Sequence, residues 1–176
     1  MTIRCSVFIA TSLDGYIARK NGDIDWLPSD GSGEDYGYRQ FVDSVDALVM
    51  GRNTYETVRS FGEWPYGEKP VVVLSHRALE IPQHLSATVK LISGSPPEIV
   101  DHLGKEGAKH LYIDGGKTIQ AFLNAGLIQE MILTRIPVII GEGIPLFGPV
   151  DQDITLLHVE TRDYENGLVQ SRYTIS

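Results

Sequence analysis

The sequence predicts an α/β fold: an open, mostly parallel sheet flanked by helices, with an antiparallel C-terminal hairpin. Three observations carry this. Between Val89 and Ile136, β-like runs alternate with helical runs at βαβ spacing, which requires parallel strands joined by right-handed crossovers. Several runs are apolar throughout, as in strands covered on both faces. Asn166-Gly167 stands between two β-like runs, a strong hairpin signal.

The elements follow in order. Cys5 to Ala10 (CSVFIA) is apolar and β-rich, a buried first strand. Ser12 to Gly33 is rich in Gly, Asp and Pro and reads as a long loop, a common home for function. Glu34 to Val45 places Tyr38, Phe41, Val42 and Val45 at helical spacing. Ala47 to Met50 is a short strand, and Gly51-Arg52-Asn53-Thr54 opens a helix that ends near Gly62. Lys69 to Leu74 and Val89 to Ser93 are further strands. Ser95-Pro96-Pro97-Glu98 combines an N-cap serine, a glutamate three residues on and a proline at the first helical position. That helix turns Ile99, Val100 and Leu103 inward, and Gly104 is expected to stop it. His110 to Asp114 is a strand. Lys117 to Ala125 is a helix with Gly126 at its C′ position, and Glu130 to Ile136 is the next strand. Ile154 to Glu160 and Leu168 to Ile175 flank the turn Tyr164-Glu165-Asn166-Gly167. No repeat, linker or low-complexity tract interrupts the chain, so residues 1–176 read as one domain.

Composition narrows the function classes. The 176 residues are 42% hydrophobic and 22% charged, a globular composition. The net charge of −8 argues against a general nucleic-acid or anionic-membrane binder. With one cysteine, Cys5, no internal disulfide can form and no cysteine metal cluster is possible. The five histidines lack metal-ligand spacing, so no metal is expected. No G-x-S-x-G occurs. No signal-peptide-like stretch precedes the first strand, so the expected location is cytoplasmic.

In an open α/β sheet the ligand crevice lies beyond the carboxyl ends of the strands. Four strand ends carry glycine, hydroxyl or basic residues: Gly51-Arg52-Asn53-Thr54, Ser75-His76-Arg77, Gly94-Ser95 and Gly115-Gly116-Lys117-Thr118. Three of them open helices, whose N-termini offer free N–H groups and partial positive charge to phosphate. The pattern points to a ligand with several phosphates, such as a dinucleotide. A P-loop is excluded, because its first glycine would fall on Leu111. The Rossmann fingerprint is absent too: Gly141-Glu142-Gly143 lacks its third glycine, and Gly31-Ser32-Gly33 follows no strand.

Longer motifs carry a resemblance. Ser12-Leu13-Asp14-Gly15 with Ile17-Ala18, and Val49-Met50-Gly51-Arg52-Asn53-Thr54-Tyr55-Glu56, resemble motifs of the dihydrofolate reductase superfamily. Gly115-Gly116, Phe122-Leu123, Gly126-Leu127-Ile128 and Pro137 to Phe147 are similar to the reductase domain of the riboflavin-biosynthesis deaminase-reductase. The resemblance implies the dihydrofolate reductase-like fold and NADPH as cofactor. It places Ala10 and Ile17 at the nicotinamide, and Gly51, Arg52, Asn53 and Thr54 with Gly115, Gly116, Lys117, Thr118 and Ile119 around the pyrophosphate. It sets Ser75, His76 and Arg77 at the adenosine 2′-phosphate, and Gly94 and Ser95 beside the adenine. Basic residues rather than an acid at that strand end agree with a 2′-phosphate.

The substrate side departs from both enzymes. Thr54 is followed by Tyr55-Glu56-Thr57-Val58, not by the D-N-P-x-L of riboflavin reductases. After Trp26-Leu27-Pro28 comes an insertion, Ser29 to Gly33. Counted back from Gly51, Asp35 falls where dihydrofolate reductase carries its pterin-binding acid, and a desolvated Asp35 with raised pKa is the expected proton donor. The alternative for Asp35 is a first-turn acid facing the helix dipole. Asp14 reads as a turn residue. Three functions stay open: a reductase of a pyrimidine- or pterin-like substrate resembling 5-amino-6-(5-phosphoribosylamino)uracil reductase, a true dihydrofolate reductase, or a non-catalytic nucleotide-binding module. The apolar run Ile136 to Phe147 and the hairpin suggest a homodimer interface; neither nucleic acid nor membrane is an expected partner.

Overall fold

The computed structural model describes residues 2–29 and 33–176. Met1 and residues 30–32, inside the insertion, lie outside them. The main sheet has eight strands: β1 (Arg4–Thr11), β3 (Ala47–Gly51), β4 (Val71–Leu74), β5 (Val89–Ile92), β6 (His110–Asp114), β7 (Glu130–Arg135), β9 (Leu156–Asp163) and β10 (Val169–Ile175). A two-stranded sheet pairs β2 (Tyr16–Ala18) with β8 (Ile144–Pro145). The helices are α1 (Tyr38–Ser44), α2 (Arg52–Ser60), α3 (Pro96–Lys105) and α4 (Gly116–Asn124). The spatial order is β5-β4-β3-β6-β1-β7-β10-β9. Strands β5 through β7 run parallel, and β10 and β9 are antiparallel.

Register divides the core into two layers. Odd-numbered Cys5, Val7, Leu111, Ile113 and Met131 share one face with Ile99 and Leu103 of α3 and Ile119, Phe122 and Leu123 of α4. Even-numbered Phe8, Leu48, Met50, Tyr112 and Ile132 face the other way, against Phe41 of α1 and Tyr55 and Val58 of α2. The apolar strands are thus covered on both sides, which is why they lack alternation. The second face also holds a buried carboxylate. Glu130, 4% exposed, lies between the guanidinium groups of Arg4 and Arg172 and accepts a hydrogen bond from Ser6 Oγ.

Four expectations change in detail. The loop after β1 contains β2, because it pairs with β8 more than a hundred residues later. Asp14 fastens that pairing: its carboxylate accepts N–H bonds from Gly141 at 2.8 Å and Ile140 at 3.3 Å. Helix α1 starts at Tyr38, not Glu34, because Tyr36 (φ 55°) and Gly37 (φ 85°) are left-handed. Gly104 does not end α3, which runs to Lys105. A Cβ on Gly104 would lie 2.8 Å from Ile3 Cδ1, so this glycine admits the N-terminal strand. The hairpin strands also begin two residues and one residue later than expected, at Leu156 and Val169.

Candidate active site

The chain order reverses between β3 and β6. Helix α2 leaves β3 on one face, α4 leaves β6 on the other, and Met50 pairs with Asp114. At this switch point the two turns interlock. A Cβ on Gly115 would meet Thr54 Oγ1 at 2.5 Å, and one on Gly51 would meet Thr118 Oγ1 at 3.0 Å. Gly115 also has φ 94°, which side-chain-bearing residues rarely adopt.

The helix starts differ in one decisive respect. Those of α2 and α4 carry neither an acidic side chain nor a side-chain cap, so their first-turn N–H groups are left for a ligand. The start of α3 is closed by its own capping box, in which Ser95 N–H and Oγ both donate to Glu98 Oε2 at 2.8 Å. Two open N-termini converging on one crevice fit the two phosphates of a dinucleotide.

The predicted cofactor residues fall along adjacent strand ends. Arg52 is paired with Glu56 at 3.0 Å, and Asn53 and Lys117 are exposed on the first turns of their helices. Ser75 Oγ accepts from Arg77 N–H, which folds the end of β4 back and leaves the His76 and Arg77 side chains exposed. Gly94 precedes the closed cap of α3. Two residues sit differently from the simple pyrophosphate picture. Gly116 packs against protein: a Cβ there would lie 3.0 Å from Pro145 O and 3.3 Å from Ile17 Cδ1. Ile119 is a fully buried core residue whose N–H is bonded to Gly115 O, so it supports the turn from beneath. Ala10 stands next to last in β1, on the face opposite α4.

Asp35 is not the desolvated acid expected. It is exposed, and its two oxygens accept the N–H groups of Gly37 (3.0 Å) and Arg39 (3.2 Å). These bonds stabilise the carboxylate and hold its pKa below the ordinary value. Its work is to start α1.

The perturbed acid is Asp114. Burial raises its pKa from 3.8 to about 6, against a smaller opposing effect of the Gly115 N–H, which it accepts at 2.9 Å. Tyr38, Tyr66 and Tyr112 lie close enough to feel its charge. Burial and the Asp114 charge push their hydroxyls up, Tyr38 to about 12, so all three remain neutral donors. The alternation in His110 to Asp114 sets Asp114 on the same face as Tyr112, the one sequence signal for this site. The aromatic shell comes from distant segments and carries none. Thr134 and Gln170, also unflagged by the sequence, complete this side: Gln170 Nε2 donates to Thr134 Oγ1.

A family model for the RibD C-terminal domain matches residues 5–170. The chain belongs to the RibD C-terminal domain family. It is 33% identical to the uncharacterized protein YyaP of Bacillus subtilis over 94% of this chain and 91% of that protein. The crystal structure of a protein from Shewanella sp. PV-4 assigned to riboflavin biosynthesis is 43% identical, covers 99% of each chain and superposes with a TM-score of 0.92. Dihydrofolate reductase from Enterococcus faecalis, solved with NADP(H), shares the fold at a TM-score of 0.69 and 18% identity, over 98% of this chain and 96% of its own. The chain thus has the dihydrofolate reductase-like fold, as the sequence motifs implied. Among the described residues no helix is long and apolar enough to cross a membrane.

Proposed function

We propose that this chain is an NADPH-dependent reductase delivering hydride to a C=N or C=O carbon of a small heterocycle, by a reaction of the 5-amino-6-(5-phosphoribosylamino)uracil reductase type. The observation that carries the reading is the pair of uncapped helix starts interlocked at Gly51 and Gly115. When bound, NADPH supplies the hydride. Arg52, Asn53, Thr54, Lys117 and Thr118 would hold its pyrophosphate, and His76 and Arg77 would hold its 2′-phosphate. Asp114 would supply the proton that the reduction needs; its raised pKa makes it an acid near neutral pH. The buried aromatic rings of Tyr66 and Tyr112 help keep water from the acid.

The test is direct. NADPH is titrated into the protein and its fluorescence followed, with NADH as the comparison. Saturable, NADPH-selective binding supports the reading, and loss of that selectivity in Arg77→Ala locates the 2′-phosphate. If neither nucleotide binds, the reading fails.

The same proposal includes a homodimer. Ile139, Phe147 and Val150 and, on the hairpin, Leu157, Val159 and Val169 are exposed apolar residues. A light-scattering mass of twice 19.5 kDa is the expected result.

A further inference from the structure

We infer that His110, Ser6 and Glu130 form a proton-operated clasp at the amino ends of the parallel strands. One proton taken up by His110 reverses the Ser6 hydroxyl and completes a chain of hydrogen bonds from helix α1 to Glu130. The clasp lies at the end of β6 away from the proposed crevice and does not depend on the reductase reading.

The strands bring these side chains together. Ser6 of β1 pairs with Glu130 of β7, and Arg4 of β1 pairs with His110 of β6. Ser6 is fully buried and Glu130 nearly so. Ser6 Oγ lies 2.8 Å from His110 Nε2 and 3.2 Å from Glu130 Oε2. On its other side, His110 Nδ1 lies 3.1 Å from the carbonyl oxygen of Ser44, the last residue of α1.

The number of hydrogens decides how these groups can bond. A carbonyl only accepts, so Nδ1 carries a hydrogen in either charge state of the ring. A carboxylate only accepts, so the contact with Glu130 needs the Ser6 hydroxyl hydrogen. In the neutral ring Nε2 is a bare acceptor and needs that same hydrogen. One hydrogen then faces two acceptors inside the protein, and one of the two contacts goes unmade, at a cost. A proton on Nε2 removes the conflict. Nε2–H donates to Ser6 Oγ, and Ser6 Oγ–H donates to Glu130 Oε2. Both bonds made by the ring are then charge-assisted.

The charges around the ring come from several segments. The Arg4 guanidinium opposes a proton on His110, and the carboxylates of Glu130 and Asp46 favour one. Asp46 also accepts the main-chain N–H of His110 at 2.9 Å, and Arg172 Nε lies 2.5 Å from Glu130 Oε1. Lys69 Nζ donates to the Val45 carbonyl at 2.7 Å, and Phe41 of α1 meets the imidazole edge-on. Burial outweighs the rest and holds the pKa of His110 below the ordinary 6.5. The clasp therefore closes on the acid side of 6.5, the side on which Asp114 also takes up its proton. Helix α1 joins the two ends. Its last carbonyl is held by His110, and its first residue, Tyr38, feels the charge of Asp114. A proton on His110 strengthens the hold on that last carbonyl.

The experiment uses the full chain labelled with ¹⁵N. The ring nitrogens of His110, assigned with His110→Asn, are followed by NMR from about pH 8 to about pH 4 in the wild type and in Ser6→Ala. In the wild type the neutral ring should be the Nδ1–H tautomer, and the midpoint should lie below 6.5. Ser6→Ala removes the acceptor for Nε2–H and the link to Glu130. It should lower the midpoint by about one pH unit, a roughly tenfold loss of proton affinity. A serine that merely fills space would leave the midpoint where it is. A midpoint that Ser6→Ala leaves unmoved or raises overturns the inference. So does a neutral wild-type ring in the Nε2–H tautomer, a result that needs no variant to fold.

Discussion

Asp114 is where chemistry and stability meet in one side chain. Its folded pKa of about 6 lies above the ordinary 3.8, so the native state holds the proton more tightly than the unfolded chain does. Its effect on stability is therefore most favourable below pH 4. Stability falls as pH rises from about 4 to about 6, by on the order of 2–3 kcal/mol, and levels off above. Asp114→Asn removes this penalty while keeping an acceptor for the Gly115 N–H. Its melting temperature should exceed that of the wild type at pH 8 and match it at pH 4. Turnover should fall by 10²-fold or more, roughly the contribution of a positioned acid. In the wild type, the rate should decline as pH rises through about 6. A second residue-scale prediction concerns the diglycine. Gly115→Ala adds a Cβ at 2.5 Å from Thr54 Oγ1 with φ 94°, and should destabilise the fold by about 1–3 kcal/mol and weaken NADPH. Gly116→Val should lower the melting temperature as well as cofactor affinity, because its added atoms meet Pro145 O and Ile17.

At the scale of elements, the helix starts separate ligand sites from self-satisfied ones. Ser95→Ala should cost α3 about 1 kcal/mol in denaturant unfolding and change NADPH affinity little, since its hydroxyl already serves Glu98. The elements legible in the sequence were those with local signals: the capping box of α3, the glycine after α4, the Asn-Gly hairpin and the diglycine turn. The rest depended on partners far along the chain. Strand β2 exists because β8 pairs with it, and nothing in Tyr16-Ile17-Ala18 announces that. Asp35 was read by its offset from Gly51, yet its role is decided by the left-handed turn at Tyr36 and Gly37, which frees two N–H groups for it to cap. Asp114 stood in plain view before the diglycine. Its altered acidity comes from burial, which only the assembled fold supplies.

At the scale of the whole molecule, a net charge of −8 is combined with a crevice that gathers Arg52, His76, Arg77 and Lys117 at the carboxyl edge of the parallel strands. Two helices on opposite faces aim their N-termini at that edge, and the antiparallel hairpin forms the other end of the sheet. This division matches a cofactor laid across the strand ends with its reactive ring near β1. The measurement that tests it most directly is a fluorescence titration of the wild-type protein with NADPH and with NADH. The account predicts saturable binding of NADPH about tenfold or more tighter than NADH, with Arg77→Ala removing most of the difference. Equal affinity for the two nucleotides, or no binding of either, would contradict it.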